Sequence, residues 1–359
     1  MKEFVGVLVR DLPRYVLALA GGKSRYLTLT NRRERLEAAP YGEGYRCKWQ
    51  WTSDLHAPTV MPFLGRWLMK RALSDHPIRR RPNPDSISDN PEASFVVGHR
   101  GMTRLSQLLA TLESIAGQSG AHCECIVVEQ DVEPHLAGRL PSWVRHVHSP
   151  PPSRDMPYCR SWAFNVGAGH ARGKVLVLHD SDLLVPADYV ARSLECIGRG
   201  FDVVNVKRFI FYLDEAHSRA VCGDSAALFD ATPETILQNP QGGGSAVITR
   251  EAYDRIGGMD EAFIGWGGED NEFWERAMTL AVWPWGNLPL VHLWHAAQPG
   301  KCDTHYHTAL RYRSLTQVNP AERIRRLAAL PRGMISRPTG WEIVAAPPDD
   351  AADVATRSG

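Results

Sequence analysis

Three groups of residues in this 359-residue chain have types and spacings that can do chemistry. The first is Asp180-Ser181-Asp182, close behind the apolar run Val175–Leu178. At a strand end, two such carboxylates can hold a hard divalent cation, Mn²⁺ or Mg²⁺, and leave positions open for phosphate oxygens. The same tripeptide is also an ordinary turn, because Asp and Ser favour turns. The second group is Glu269-Asp270, within Phe263-Ile-Gly-Trp-Gly-Gly-Glu-Asp-Asn-Glu-Phe-Trp-Glu-Arg-Ala277. Adjacent acids suit general-base work, and their repulsion raises the pKa of one of the two. Acids are also favoured at a helix N-terminus by the dipole, and Asp270 as N-cap can serve both purposes. Gly267 and Gly268 permit positive φ or close approach by a ligand. The third group is His292 and His295, in Leu-Pro-Leu-Val-His-Leu-Trp-His. Either can offer a neutral imidazole to a metal. Residues three apart face opposite sides of a strand, so both ligate only if the chain turns between them. His295, nearer the polar loop that follows, is the stronger candidate. The spacing admits a zinc hydrolase, but the helical His-Glu-X-X-His signature is absent.

These groups need a scaffold, and from Ala93 the chain supplies strand–helix alternation. Ser94–His99 reads as a buried parallel strand, Leu105–Gln118 as a helix stopped by Gly117, and Glu124–Asp131 as a second strand ending in acid. A helix over Tyr158–Ala171, a third strand over Gly173–Asp182 and a helix from Pro186 follow. Charged residues at strand C-termini are the mark of an open α/β sheet, whose ligands bind beyond those ends. Asn319 and Pro320 start a closing helix. The spacing divides the chain into an N-terminal region and linker (1–92), an α/β domain (93–331) and a tail (332–359) that looks disordered from Pro347.

The N-terminal region shows no αβ rhythm. Lys23–Thr30 reads as a strand and Phe63–Leu73 as an amphipathic helix, with Arg66, Lys70 and Arg71 on one side. That helix packs on the main domain or touches a membrane surface, so peripheral membrane contact stays open. No stretch approaches a transmembrane span, and Glu3, Arg10, Asp11 and Arg14 interrupt any signal-like apolar run. A net charge of +1 gives no field for nucleic acid. Seven scattered cysteines, with Cys123-X-Cys125 matching no zinc spacing, read as reduced thiols in the cytoplasm. Eleven tryptophans suit carbohydrate platforms or simply a core.

Taken in order, Asp180-Ser-Asp182, the block from Gly242 to Ala277 with its Trp-Gly-Gly-Glu-Asp, and His292-Leu-Trp-His295 resemble GT-A fold glycosyltransferases. The nearest group is that of the β1,4-galactosyltransferases and bacterial family 2 transferases, and the resemblance covers about 93–330. It implies a GT-A, Rossmann-like, mixed and mostly parallel sheet flanked by helices, with an N-terminal accessory segment. It also implies a metal-dependent, inverting transfer from a UDP-sugar, a hexose or N-acetylhexosamine, to an acceptor hydroxyl.

By that resemblance Asp182 and His295 hold Mn²⁺ or Mg²⁺, and His292 falls where some relatives use methionine. Asp180 contacts the ribose or supports the metal. Arg160 touches the donor, although Trp162 replaces a lysine of the family block. His99, Arg100 and Arg104 follow the first strand, where nucleotide contacts lie, and Glu129 and Asp131 end the second, where uridine is read. Gly243, Gly268 and Trp266 complete the donor pocket; Trp266 stacks on a sugar or fills a core. Asp270 is the base and Glu269 binds hydroxyls. The segment after His295 is a lid in relatives. The Gly-rich Asn239–Gly244 leaves the donor sugar open, and the acceptor is a glycan or another hydroxyl compound. A retaining transferase and an inactive sugar-nucleotide binder are the alternatives. Nothing in the sequence speaks to oligomeric state.

Overall fold

The structure is a computed structural model that describes residues 2–48, 53–238, 243–297 and 305–333. Parts of three sequence readings lie outside the described residues: Asn239–Gly244 at 239–242, the expected lid at 298–304, and the tail from 334 onward.

Seven strands form the main sheet, in the order Val282–Trp283, Val203–Val204, Ser245–Thr249, Val175–His179, Ala93–His99, Cys123–Glu129, Val144–His148. The last four run parallel, while Ser245–Thr249 is antiparallel to both its neighbours. The sheet is therefore mixed and mostly parallel, flanked by helices. Every residue of Ala93–His99 is buried, as a strand covered on both faces must be. Alternation decides which residue meets which layer. Phe95 and Val97 pack with Leu108, Leu112 and Ile115 of the Leu105–Ala116 helix, and Val96 packs with Phe164 and Ala168 of the Arg160–His170 helix.

A second, five-stranded sheet runs in the order Ser53–Asp54, Thr235–Gln238, Lys207–Tyr212, Leu288–His292, Leu183–Leu184. Its short strands carry little periodic signal, and sequence reasoning missed it. Ser53–Asp54 belongs to the N-terminal region, which also shares a hydrophobic cluster with Phe209, Phe211, Ile236 and Val291. Arg208, fully buried, donates to the carbonyls of Leu27 and Leu29.

The first 20 residues, unassigned from sequence, form two helices, Lys2–Arg10 and Leu12–Ala20. The strand expected at Lys23–Thr30 is instead a 3₁₀ turn, Arg25–Thr28. Its β-favouring Tyr26, Leu27 and Leu29 are buried against the helices, so tertiary packing overrides local propensity. The helix expected from Pro186 starts at Tyr189, after Pro186, Ala187 and Asp188. The closing helix, Pro320–Ala328, starts as expected, with the Asn319 side chain accepting from the Ala321 N–H.

Candidate active site

The parallel strands deliver their C-terminal ends to one edge. There His179 ends its strand and the chain turns through Asp180-Ser181-Asp182 into Leu183–Leu184. That short strand pairs antiparallel with Leu288–His292, setting His292 opposite Leu183. The Leu293 N–H then donates to the Asp182 carbonyl at 2.8 Å. Beyond His292 the chain leaves the strand, so two histidines three apart can face the same way. Trp294 holds that turn: its N–H donates to Ser218 Oγ (2.7 Å) and its carbonyl accepts from Gln107 (3.1 Å).

The result is a compact donor set. Ligand atoms of Asp182, His292 and His295 all lie within 4.8 Å of one another. His292 Nε2 is 3.6 Å from Asp182 Oδ1 and His295 Nε2 is 3.5 Å from Oδ2. Tyr212 stacks on the His292 ring, centroids 4.3 Å apart, and fixes its plane. Arg104 donates to Asp182 Oδ2 at 3.2 Å. Burial by itself would push the Asp182 carboxyl up; the facing histidines and Arg104 more than offset it and hold the pKa below the usual range. One carboxylate and two imidazoles at this spacing fit a divalent cation with open positions.

The two acids of Asp-Ser-Asp serve different clusters. Asp180 points away from the histidines, and its Oδ1 accepts from Arg160 Nε and Nη2, both at 2.7 Å. The other arm of Arg160 donates to Asp270 and lies 3.7 Å from Glu269. One guanidinium, stacked 4.5 Å over Phe164, thus gathers three carboxylates from two well-separated stretches of the chain. Burial, with the charges of Asp182 and Asp270, pushes Asp180 up to about 6 despite Arg160. Burial and the Asp270 charge push Glu269 up to about 7, and its Oε2 is buried with no hydrogen-bond partner among the described residues. Of the two adjacent acids, Glu269 is thus one whose proton affinity is raised.

The helix of this block runs Glu269–Ala277, and its N-cap is Gly268, not Asp270. Both acids sit in the first turn, near the positive end of the helix dipole. Gly268 has φ +89°, a conformation L side chains rarely adopt, and this aims the helix start at Arg160. Gly243 approaches the same spot, since a Cβ there would lie 3.8 Å from Asp270 Oδ2. Below it, the buried Lys207 ammonium donates to the carbonyls of Gly243 (3.0 Å) and Ser245. Burial lowers its pKa to about 7, against the pull of Asp270 and Asp180. Lys207 went unnoticed in the sequence, where a lysine opening an apolar run reads as an edge residue.

A cleft of about 470 Å³ opens beside these clusters, lined in part by His99, Arg100, Arg104, Tyr158, Ser181, Trp266 and Tyr306. His99 is buried; its Nε2 meets the Gly101 carbonyl at 2.7 Å, and burial lowers its pKa. Arg100 donates to the carbonyls of Met156 and Arg154, and Asp131 accepts from the Gly101 N–H at 2.6 Å. Trp266 is 40% exposed, so it is a wall of the cleft and not a core residue. Glu129 departs from expectation. It is fully buried, its oxygens are taken by His146 (2.7 Å) and the Leu136 N–H (3.0 Å), and it does not face the cleft. The strand ends at Glu129, whose side chain points into a buried layer, while Asp131 lies beyond the strand, where alternation no longer applies, and reaches the Gly101 loop. Arg154 and Tyr306 were not anticipated, since each comes from a loop with no periodic signal, and Tyr158 lies in the loop before the helix that starts at Arg160.

An open, mostly parallel sheet with acids and histidines at its C-terminal edge is an α/β fold of the kind that binds its ligands at that edge. Residues 236–282 match a family model described as the N-terminal domain of galactosyltransferase. No curated protein sequence matches the chain. Solved structures with similar chains include a mannosyltransferase from Pyrobaculum calidifontis, in complex with GDP-Man and Mn²⁺ (20% identity; 74% of this chain and 72% of that one; TM-score 0.40). Another is the catalytic domain of Drosophila β1,4-galactosyltransferase 7 with xylobiose (17%; 67% and 82%; 0.35). A third is GalNAc-T7 with UDP, GalNAc and Mn²⁺ (16%; 69% and 53%; 0.46). At these identities and scores the likenesses say nothing about donor, acceptor or stereochemistry. The matched stretch gives the chain a galactosyltransferase-like segment, carried on a mixed, mostly parallel α/β sheet.

Proposed function

We propose that the chain moves a sugar from a UDP-sugar to an acceptor hydroxyl with inversion at the anomeric carbon, in the building of a glycan or polysaccharide. The observation that carries this reading is the pairing of two adjacent clusters. Asp182, His292 and His295 converge so that they can hold a cation, and beside them Arg160 gathers Asp180, Glu269 and Asp270. A cation held by the first cluster would neutralise charge on the leaving diphosphate. Two imidazoles among three donors favour Mn²⁺ over Mg²⁺, which takes oxygen ligands.

The chain's own residues do the rest. Arg104 and Arg100 line the cleft and meet phosphate charge. Trp266 offers an apolar wall to a sugar face. Donor phosphates compete with Asp270 for Arg160, and a freed Asp270 accepts the proton of the acceptor hydroxyl. The acceptor oxygen bonds to the anomeric carbon as the bond to the diphosphate breaks. Glu269, protonated over much of the neutral range, can donate a hydrogen bond to donor or acceptor.

The test is a hydrolysis screen over UDP-hexoses and UDP-N-acetylhexosamines, with and without Mn²⁺, the sugar product's anomer being read by NMR. Turnover that requires Mn²⁺, yields the inverted anomer and is lost in Asp182→Ala and Asp270→Asn is expected. A retained anomer refutes Asp270 as base. Donor binding without turnover under every condition refutes the enzyme reading in favour of a sugar-nucleotide binder.

A further inference from the structure

The N-terminal helices present a face that the catalytic site does not use. Lys2–Arg10 carries Phe4, Val5, Leu8 and Val9 on one stripe, at the i, i+1, i+4, i+5 spacing of a single helix face. All four are exposed, Val9 to 65%, and only Val7 of this helix is buried against the protein. Leu12–Ala20 repeats the pattern. Its buried residues are Tyr15 and Ala18, and its solvent side holds Pro13, Val16, Leu17 and Ala20, with no charge among them. Soluble helices place polar residues on that side. Six large apolar side chains on two adjoining helices make a contiguous apolar face, which marks an interaction surface and not scattered exposure.

The charge around this face says what covers it. Residues 1–33 hold seven Lys or Arg against Glu3 and Asp11, a local surplus of +5 in a chain whose net charge is +1. The remainder is therefore net negative. Asp11 is already taken by Arg14 and Arg32. Arg10 and Arg33 have no carboxylate partner among the described residues, and both line a cleft of about 670 Å³ that also holds Arg32, His56, Asp11 and Glu34, so its lining keeps a basic surplus. Each helix has nine residues, about 14 Å of helix, so neither can cross a bilayer. Short helices with one apolar side and a basic fringe lie in the plane of a membrane interface.

We propose that the Lys2–Arg10 and Leu12–Ala20 pair is a docking face for an anionic lipid bilayer. Phe4, Leu8, Val9 and Leu17 enter the acyl boundary, and Arg10 and Arg33 meet headgroup phosphates. The face is independent of the donor site, so this inference does not depend on the function proposed above.

The test is co-sedimentation of the full chain with vesicles of phosphatidylcholine alone, or with about 30 mol% phosphatidylglycerol. Binding to the anionic vesicles, weakened by salt, and little binding to the neutral ones is expected. Val9→Asp/Leu17→Asp should lower the bound fraction at least about ten-fold while leaving donor hydrolysis and the melting temperature unchanged. Arg10→Glu/Arg33→Glu, which keeps the apolar face intact, should weaken binding and flatten its salt dependence. Absence of binding, equal binding to neutral vesicles, or indifference to both double variants overturns the proposal. So does a concentration-dependent dimer that Val9→Asp/Leu17→Asp dissolves without any vesicle capture, which would assign the face to a second copy of the chain.

Discussion

Replacing Glu269 by glutamine should stabilise the metal-free protein at pH 8, and the gain should grow with pH. Burial, and then the neighbouring Asp270, raise the Glu269 pKa from 4.5 to about 7, with Arg160 offsetting only part. The unfolded chain loses this proton near pH 4.5 and the folded chain only near 7. Between those values the folded state binds more protons, so stability falls as pH rises. Below about pH 4.5 both states are protonated and Glu269 costs nothing; above about 7 both are ionised and the cost is complete. At about 1.4 kcal/mol per pK unit the penalty is at most about 3 kcal/mol. The glutamine amide keeps the shape but has no charge to desolvate, while leaving a polar atom unsatisfied costs about 1 kcal/mol back. The net expectation is a gain of about 2 kcal/mol at pH 8 that becomes a loss of about 1 kcal/mol near pH 4.5. Urea unfolding of parent and Glu269→Gln in EDTA, across that range, reads it directly. Equal stability at pH 8, or a gain of the same size at pH 5 and pH 8, would refute the electrostatic reasoning.

Other perturbations separate the roles of neighbouring groups. Arg160→Ala leaves Asp180, Glu269 and Asp270 crowded without their cation and should cost about 3–5 kcal/mol in denaturant unfolding at pH 7.5, with less loss at pH 5, where some of the acids are protonated. Asp182→Ala should weaken Mn²⁺ binding at least about 100-fold, followed by the EPR signal of the free ion, and should lower stability at neutral pH, where the depressed pKa makes this carboxylate stabilising. Gly265 and Gly267 share positive φ, +94° and +95°, but a Cβ on Gly265 would sit 2.4 Å from Tyr306 Oη while one on Gly267 meets nothing within 4 Å. Gly267→Ala should therefore cost only the backbone term, about 1–2 kcal/mol, and Gly265→Ala clearly more by thermal melting. Glu272→Ala orphans the fully buried Arg276, which it pairs at 2.6 and 2.7 Å, and should cost about 3–5 kcal/mol in the same assay.

The parallel strands and their flanking helices were legible because burial on both faces demands runs such as Phe95-Val96-Val97, and helices demand leucines at their own period. The acids and histidines were legible by type, since few other residues can hold a cation or take a proton. The short strands of the second sheet were not, because Leu183–Leu184 or Ser53–Asp54 is two residues long and carries no period. Local propensity also misled at Arg25–Thr28, where burial against the N-terminal helices outweighs a preference worth less than about 1 kcal/mol.

Which residues could do chemistry, and the strand ends that would carry them, follow from the order of amino acids alone. Which carboxylate faces which partner does not. Glu129 and Asp131 look alike in the chain, yet one is sealed inside by His146 and the other reaches a loop. Asp180 and Asp182 are two residues apart, yet one joins Arg160 and the other the histidines. Tertiary packing makes those choices, because a charge's partners, and so its proton affinity, are set by segments from 17 to 113 residues away that only the folded sheets bring within 4 Å.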